Sequence, residues 1–179
     1  MDREEQALVS LAKAGDRRAF EKLVARYKDR MFALTYRMTG DREEALDLLQ
    51  ETFLSAFKAM RGFREEASFS SWMYRIAANK SINYIKRRKL MSYIPPGSWL
   101  KDEPSYEMED AAGRNELKIQ IQKSVKELPP KQRLVFNLRF YEQLSFVEIA
   151  KILDKSESTV KTNYQKAVEK LQKKLEDFR

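Results

Sequence analysis

The sequence predicts an all-α protein built from two small helical domains joined by an irregular acidic linker. Apolar residues recur at steps of three and four in discrete runs on both sides of the chain's middle. Around 92–114 that period vanishes, Pro95, Pro96, Gly97 and Pro104 appear, and Asp102, Glu103, Glu107, Glu109 and Asp110 accumulate. Charge divides in the same way. Residues 1–91 hold 19 basic and 13 acidic side chains, 92–114 hold 2 and 5, and 115–179 hold 14 and 9, which together give the net charge of +8. Two basic modules on either side of an acidic connector suit a protein that grips a polyanion at two separate places. The expected units are therefore 1–91, a linker over 92–114, and 115–179.

Composition narrows the function further. With 179 residues, 42% of them apolar and 35% charged, the chain can bury a core and falls outside the disordered class. Cysteine and histidine are both absent, which removes disulfides, thiolate chemistry, imidazole catalysis and most zinc sites. No cofactor, small-molecule substrate or enzymatic activity is expected. The start MDREEQALVS is charged, unlike a signal peptide, and no apolar run reaches membrane-spanning length. A cytoplasmic protein without direct membrane insertion is the expectation.

The elements follow in order. Gln6 to Lys13 reads as a short helix ending at Gly15, and Asp16 opens a long one with Phe20, Leu23, Val24, Tyr27, Met31, Leu34 and Met38 on its apolar face and Gly40 at its end. Asp41 and Glu44 have the spacing of a reciprocal cap. They start a third helix with Ala45, Leu48, Leu49, Thr52, Phe53, Ala56, Phe57 and Met60 inward. Its other face carries Asp47, Gln50, Glu51 and Ser55, either simply solvated or a docking face for a protein, since its sign is wrong for DNA. After Gly62 the segment Phe63 to Ala67 lacks periodicity, and Ser68 or Ser70 caps a fourth helix.

That helix begins the stretch FSSWMYRIAANKSINYIKRRK, Phe69 to Lys89. Trp72 and Tyr74 can stack on unpaired bases, Asn79 and Asn83 stand one turn apart, and Lys86, Arg87, Arg88 and Lys89 can neutralise phosphates. Core packing of Phe69, Trp72, Met73, Ile76 and Ala77 at helical spacing is the favoured reading of those apolar positions. A loop beside Trp72 is a place where an extruded base could be enclosed.

Beyond the linker, Leu117, Ile121, Val125 and Leu128 mark a helix that ends before Pro129 and Pro130. Lys131 to Tyr141 form the next, with Leu134, Val135, Leu138 and Tyr141 buried. Ser145 to Glu148 make a capping box for a short helix, Asp154 to Ser156 a tight turn, and Ser156 caps a final helix striped by Val160, Tyr164, Ala167, Leu171, Leu175 and Phe178. Ala150 at the crossing and Val160 inside the last helix complete a helix-turn-helix pattern. The exposed start of that helix, Glu157 to Lys166, is the part that enters a major groove.

With AGDRRAFEKLVARY (14–27), GDREEALDLLQETFLSAFK (40–58), FSSWMYRIAANKSINYIKRRK, LPPKQRLVFNLRFYEQLSFVEIAKIL (128–153) and SESTVKTNYQKAVEKL (156–171) in this order, the chain resembles a bacterial RNA polymerase sigma factor of the extracytoplasmic-function group. The resemblance covers nearly its whole length. It implies a sigma region 2 domain that docks on core RNA polymerase, at the clamp coiled coil of the largest subunit, through Asp47, Gln50, Glu51 and Leu54. The same domain would recognise and melt the minus-ten element and hold the single-stranded non-template strand. For that role it implies Phe63, Ser68, Phe69, Trp72, Tyr74, Arg75, Asn79, Lys80, Asn83, Lys86, Arg87 and Arg88, with a base flipped into the loop Phe63 to Ser70. A sigma region 4 domain would read the minus-thirty-five element through Ser156, Ser158, Thr159, Lys161, Thr162, Gln165 and Lys166, near the flap region of the second-largest subunit. The linker would thread toward the active-site and RNA-exit channels, and an anti-sigma factor would hold the protein inactive.

The chain departs from the family at TNYQKAVEKL in the recognition helix, at Asp154 in the turn and at Asn83. Asp is tolerated in left-handed conformations more readily than most residues. The alternative function is a freestanding helix-turn-helix regulator that never joins polymerase.

Overall fold

The structure, a computed structural model, describes residues 3–64, 66–91 and 114–176. Of the expected linker at 92–114, residues 92–113 lie outside the described residues and Arg114 already belongs to a helix; position 65 in the loop before the fourth helix and Phe178 of the final stripe also lie outside them. Eight α-helices occur among the described residues: α1 (Arg3–Lys13), α2 (Arg17–Thr39), α3 (Arg42–Ala59), α4 (Phe69–Met91), α5 (Arg114–Lys126), α6 (Pro130–Phe140), α7 (Phe146–Leu153) and α8 (Glu157–Glu176), with one 3-10 turn at Met60–Gly62.

Local chemistry sets most of the ends. Gly15 takes φ +102° between α1 and α2, and the Asp16 carboxylate accepts from the backbone N–H groups of Arg18 and Ala19 at 2.8 and 3.2 Å. Gly40 closes α2 in the left-handed region at φ 78°. At α3 the Asp41 carboxylate accepts from the Glu44 N–H at 2.9 Å, but the expected reciprocal bond is not made. The Asp41 N–H instead donates to Thr39 Oγ1, and the Glu44 carboxylate pairs with Arg88 of α4 at 3.1 Å, a partner that only the fold supplies. Ser68, rather than Ser70, caps α4 by accepting from the Ser71 N–H at 3.1 Å. Pro130 occupies the first turn of α6, where its missing N–H costs nothing, so this helix starts one residue before expectation.

In the N-terminal module, α1 and α3 lie on α2, and α4 packs across α2 and α3. Leu23, Met31, Leu34, Met38, Phe69 and Met73 are fully enclosed. In the C-terminal module α6, α7 and α8 pack together, with α5 against α8. A second, smaller core there is formed by Val125, Leu128, Phe136, Ala167 and Leu171. The two modules also touch each other. Helix α7 lies on α4 and α6 lies on α2 and α4, so one apolar core runs from Val9 through Met73 to Leu134, Leu138, Ile149 and Ile152. Helix α4 is consequently apolar on several sides, burying Phe69, Met73, Tyr74, Ala77 and Ala78.

Two inward assignments are corrected. Tyr141 is not buried: it is the C-cap of α6, its N–H donates to the Asn137 carbonyl, and the ring is 38% exposed beside Phe140. Phe57 is likewise on the surface at 43%, meeting the core residue Phe20 edge-on.

Candidate nucleic-acid interface and docking face

On α4, Trp72, Arg75, Asn79, Asn83 and Lys86 succeed one another at steps of three and four and form one stripe. Arg75, Asn79, Asn83, Lys86, Arg87 and Arg88 are exposed, while Trp72 is half-buried against Phe63 and Phe69, with ring centroids 4.8 and 5.7 Å away. Beside Trp72 opens a cavity of about 500 Å³. Phe63, Ser71 and Trp72 form one wall, and Lys151, Ile152 and Asp154 at the end of α7 form the other.

Three aromatic residues expected at a strand are buried in this structure. Phe69 is 1% exposed and packs edge-on against Tyr27, and Phe63 is buried against Phe69 and Trp72. Tyr74 is also buried, and its hydroxyl donates to Glu142 of the other module at 2.5 Å. These side chains shape the interface from beneath; none presents a face to a base in this arrangement. Burial, reinforced by the Glu142 carboxylate, pushes the Tyr74 hydroxyl far above its usual range, so it stays a proton donor. Ser68 spends its hydroxyl on the cap and on Ser71. Lys80 is half-buried and pairs with Glu51 of α3 at 3.0 Å.

Asp47, Gln50, Glu51 and Leu54 are all exposed and sit on one face of α3 at i, i+3, i+4 and i+7. Leu46 and Phe57 are exposed on the same helix. An acidic, amide and leucine face of this kind suits a basic and apolar protein surface better than DNA. Between this face and the α4 stripe, the largely solvated Glu51–Lys80 pair is worth about 0–1 kcal/mol.

The helix-turn-helix forms as its sequence dictates. Ser145 Oγ accepts from the Glu148 N–H at 3.2 Å, and the Glu148 carboxylate accepts from the Ser145 N–H at 2.7 Å. The Ser145 hydroxyl also donates to the Glu148 carboxylate at 2.6 Å, and this bond with the one from the Ser145 N–H holds the Glu148 carboxyl below its ordinary range. Asp154 adopts φ 52°, the left-handed turn position for which Asp was expected to substitute. Ser156 caps α8, accepting from the Thr159 N–H at 3.2 Å, and its hydroxyl also meets those of Ser158 and Thr159. Ser158, Thr159, Lys161, Thr162, Gln165 and Lys166 are exposed. Lys161 pairs with Glu157 one turn back at 2.7 Å, and the Asn163 amide donates to the Thr159 carbonyl one turn back on the same helix.

Sequence reasoning missed the residues that join the modules. Arg133 of α6 is buried and donates to the Met38 carbonyl at the end of α2 (2.7 Å) and to the Leu128 carbonyl, with burial lowering its pKa from the usual value. Lys126 donates to the Gly40 carbonyl at 3.2 Å. In return, Arg75 of α4 donates to the Lys151 and Ile152 carbonyls at the end of α7. Each module thus supplies cations to a helix C-terminus of the other, where orphan carbonyls and the negative dipole end favour them. Glu142 bonds to both Tyr74 and Arg37, and Arg37 lies 4.5 Å over the Tyr141 ring. No local pattern marks any of these partners.

A helical module with an amide-and-cation stripe, followed by a helix-turn-helix, defines a two-part DNA-binding protein. Two family descriptions match it in that order: Sigma-70 region 2 over residues 23–90 and Sigma-70 region 4 over residues 118–171. The extracytoplasmic-function RNA polymerase sigma factor SigW of Bacillus subtilis is 35% identical over 179 residues, spanning 95% of this chain and 96% of that protein. Among solved structures, CnrH in complex with the cytosolic domain of CnrY superposes with TM-score 0.70 at 26% identity, covering 97% of this chain and 98% of that one. The sigma factor RpoE of Bartonella quintana, in complex with the anti-sigma factor NepR, shares the fold at TM-score 0.71 and 18% identity, covering 89% and 98%. The chain belongs to the extracytoplasmic-function group of RNA polymerase sigma factors, DNA-binding proteins that direct transcription initiation.

Proposed function

We propose that residues 1–91 dock on core RNA polymerase through Asp47, Gln50, Glu51 and Leu54 and hold the melted minus-ten strand along α4. Residues 115–179 read the minus-thirty-five duplex through Ser158, Thr159, Lys161, Thr162, Gln165 and Lys166. The observation that carries this is the α4 stripe, in which the exposed amides of Asn79 and Asn83 lie between the cavity at Trp72 and the cations Lys86 to Arg88. Amides read base edges, the loop side of the cavity beside Trp72 receives one base, and the cations bind phosphates whatever the sequence. The protein works in the cytoplasm, has no catalytic activity of its own, and is controlled by an anti-sigma factor. No helix among the described residues is long and apolar enough to cross a membrane.

Run-off transcription on genomic fragments tests this reading. Core polymerase with the chain should initiate at discrete sites; output never above core alone would refute it. A freestanding regulator is the second reading, favoured by the exposure of α8 without polymerase. A gel shift separates the two, since specific duplex binding that needs core enzyme excludes the regulator.

A further inference from the structure

We infer that Glu142 is a latch that holds the free chain closed, with the end of α7 lying across the strand path on α4. This inference rests on the promoter-reading function proposed above. A strand running from the cavity at Trp72 to Asn79 and Asn83 must pass Arg75, the stripe residue between them. That guanidinium is already committed to the Lys151 and Ile152 carbonyls, and the far wall of the cavity is made by α7 itself. A phosphate that takes Arg75 competes with those carbonyls, and a strand that enters the cavity competes with α7 for its place.

What keeps α7 there is concentrated at one acid. Glu142 sits in the α6–α7 turn, and its two oxygens are taken by different residues of the other module, Oε1 by Arg37 and Oε2 by Tyr74. Its side chain is 10% exposed and that of Arg37 22%, against 54% and 43% for the surface pair Lys161–Glu157. Water and salt therefore screen the latch far less than an ordinary surface pair. Losing one partner strands the other as an uncompensated charge near the core, which disfavours the closed packing specifically. The contacts of Arg133 with Met38 and of Lys126 with Gly40 align the same interface but leave the cavity wall untouched. Closure lowers the apparent strand affinity by the fraction of chains that are open, a penalty that opening removes.

The test uses the full chain, whose lack of cysteine lets dyes be placed at Lys58→Cys and Lys173→Cys alone. Energy transfer between the dyes reports closure. Anisotropy with a labelled random-sequence pool of short single-stranded DNA reports strand binding. Glu142→Lys and Arg37→Glu should each lower transfer and tighten strand binding on the order of tenfold. The two substitutions change net charge in opposite directions, so a gain in both cannot be non-specific attraction. The double variant Arg37→Glu/Glu142→Lys, with the charges exchanged, should return transfer and affinity toward wild type. Unchanged transfer in both single variants overturns the latch, as does a double variant as open as the singles. Reduced transfer without tighter strand binding overturns the masking of the strand path. Transfer reads closure whether or not the chain supports transcription, so absent run-off product alongside an opened Glu142→Lys variant refutes only the promoter-reading function.

Discussion

The two surfaces assigned to DNA are presented in opposite ways. At α8 the outward side chains of the first two turns are exposed, with Lys161 5.9 Å over the Phe146 ring, on a helix set by a capping box, a left-handed Asp154 and the Ser156 cap. At α4 the stripe is broken at Arg75 by the other module, and the cavity at Trp72 has α7 for a wall. The difference follows from what each surface reads. A duplex can be met by a rigid exposed helix, whereas the surface proposed for the single strand is sheltered by α7 in the closed chain and is met once α7 leaves.

The comparison can be broken most sharply from the α8 side. Ile149, fully buried, fixes α7 against both α8 and the shared core. Ile149→Ala should cost about 2–5 kcal/mol, measured by denaturant unfolding. The variant should lose duplex binding by α8 and loosen the α7 wall at the same time. A smaller effect is expected on the α4 side. Asn79→Ala should weaken promoter opening by about 1–3 kcal/mol, the value of one base contact, with duplex affinity of the C-terminal module unchanged. Equal permanganate reactivity in wild type and variant would remove Asn79 from the strand path.

Smaller still is the cap that orients the helix-turn-helix. Ser145→Ala should cost about 1 kcal/mol. Because the folded Glu148 carboxyl lies below its ordinary value, its contribution is complete above the unfolded carboxyl pKa and is lost as pH falls through the folded one. Thermal melts of the wild type should therefore drop on acidification more steeply than those of Ser145→Ala, and parallel curves would contradict the assignment. Lys166→Glu should act only at α8, lowering duplex affinity on every sequence and reducing the salt slope by about 1, as read by anisotropy titrations across salt. A loss confined to one sequence would make Lys166 a base reader instead.

Much of this was legible in the sequence because it is local. Asp16, Gly40, the Ser145–Glu148 box and Asp154 act on backbone groups within four residues, so spacing alone located them. The α3 face was legible because Asp47, Gln50, Glu51 and Leu54 share a helical period and differ in sign from their surroundings. What the sequence hid depends on contacts between distant segments. Tyr74 looks like a stacking aromatic until Glu142 arrives from the other module, and Glu44 looks like half of a reciprocal cap until Arg88 claims it. Arg133 and Arg37 carry no local signal in the sequence, yet one satisfies the end of α2 from within the core and the other holds Glu142.

The central claim, that one chain docks on polymerase and holds a melted strand on α4, is tested most directly by permanganate footprinting of a promoter found by run-off transcription. With core polymerase and the chain together, unpaired thymines should react over a short tract in the minus-ten region, and Asp47→Lys or Glu51→Lys should abolish that reactivity by preventing docking. Reactivity of the same tract with core polymerase alone, or full reactivity with the docking variants, would contradict it.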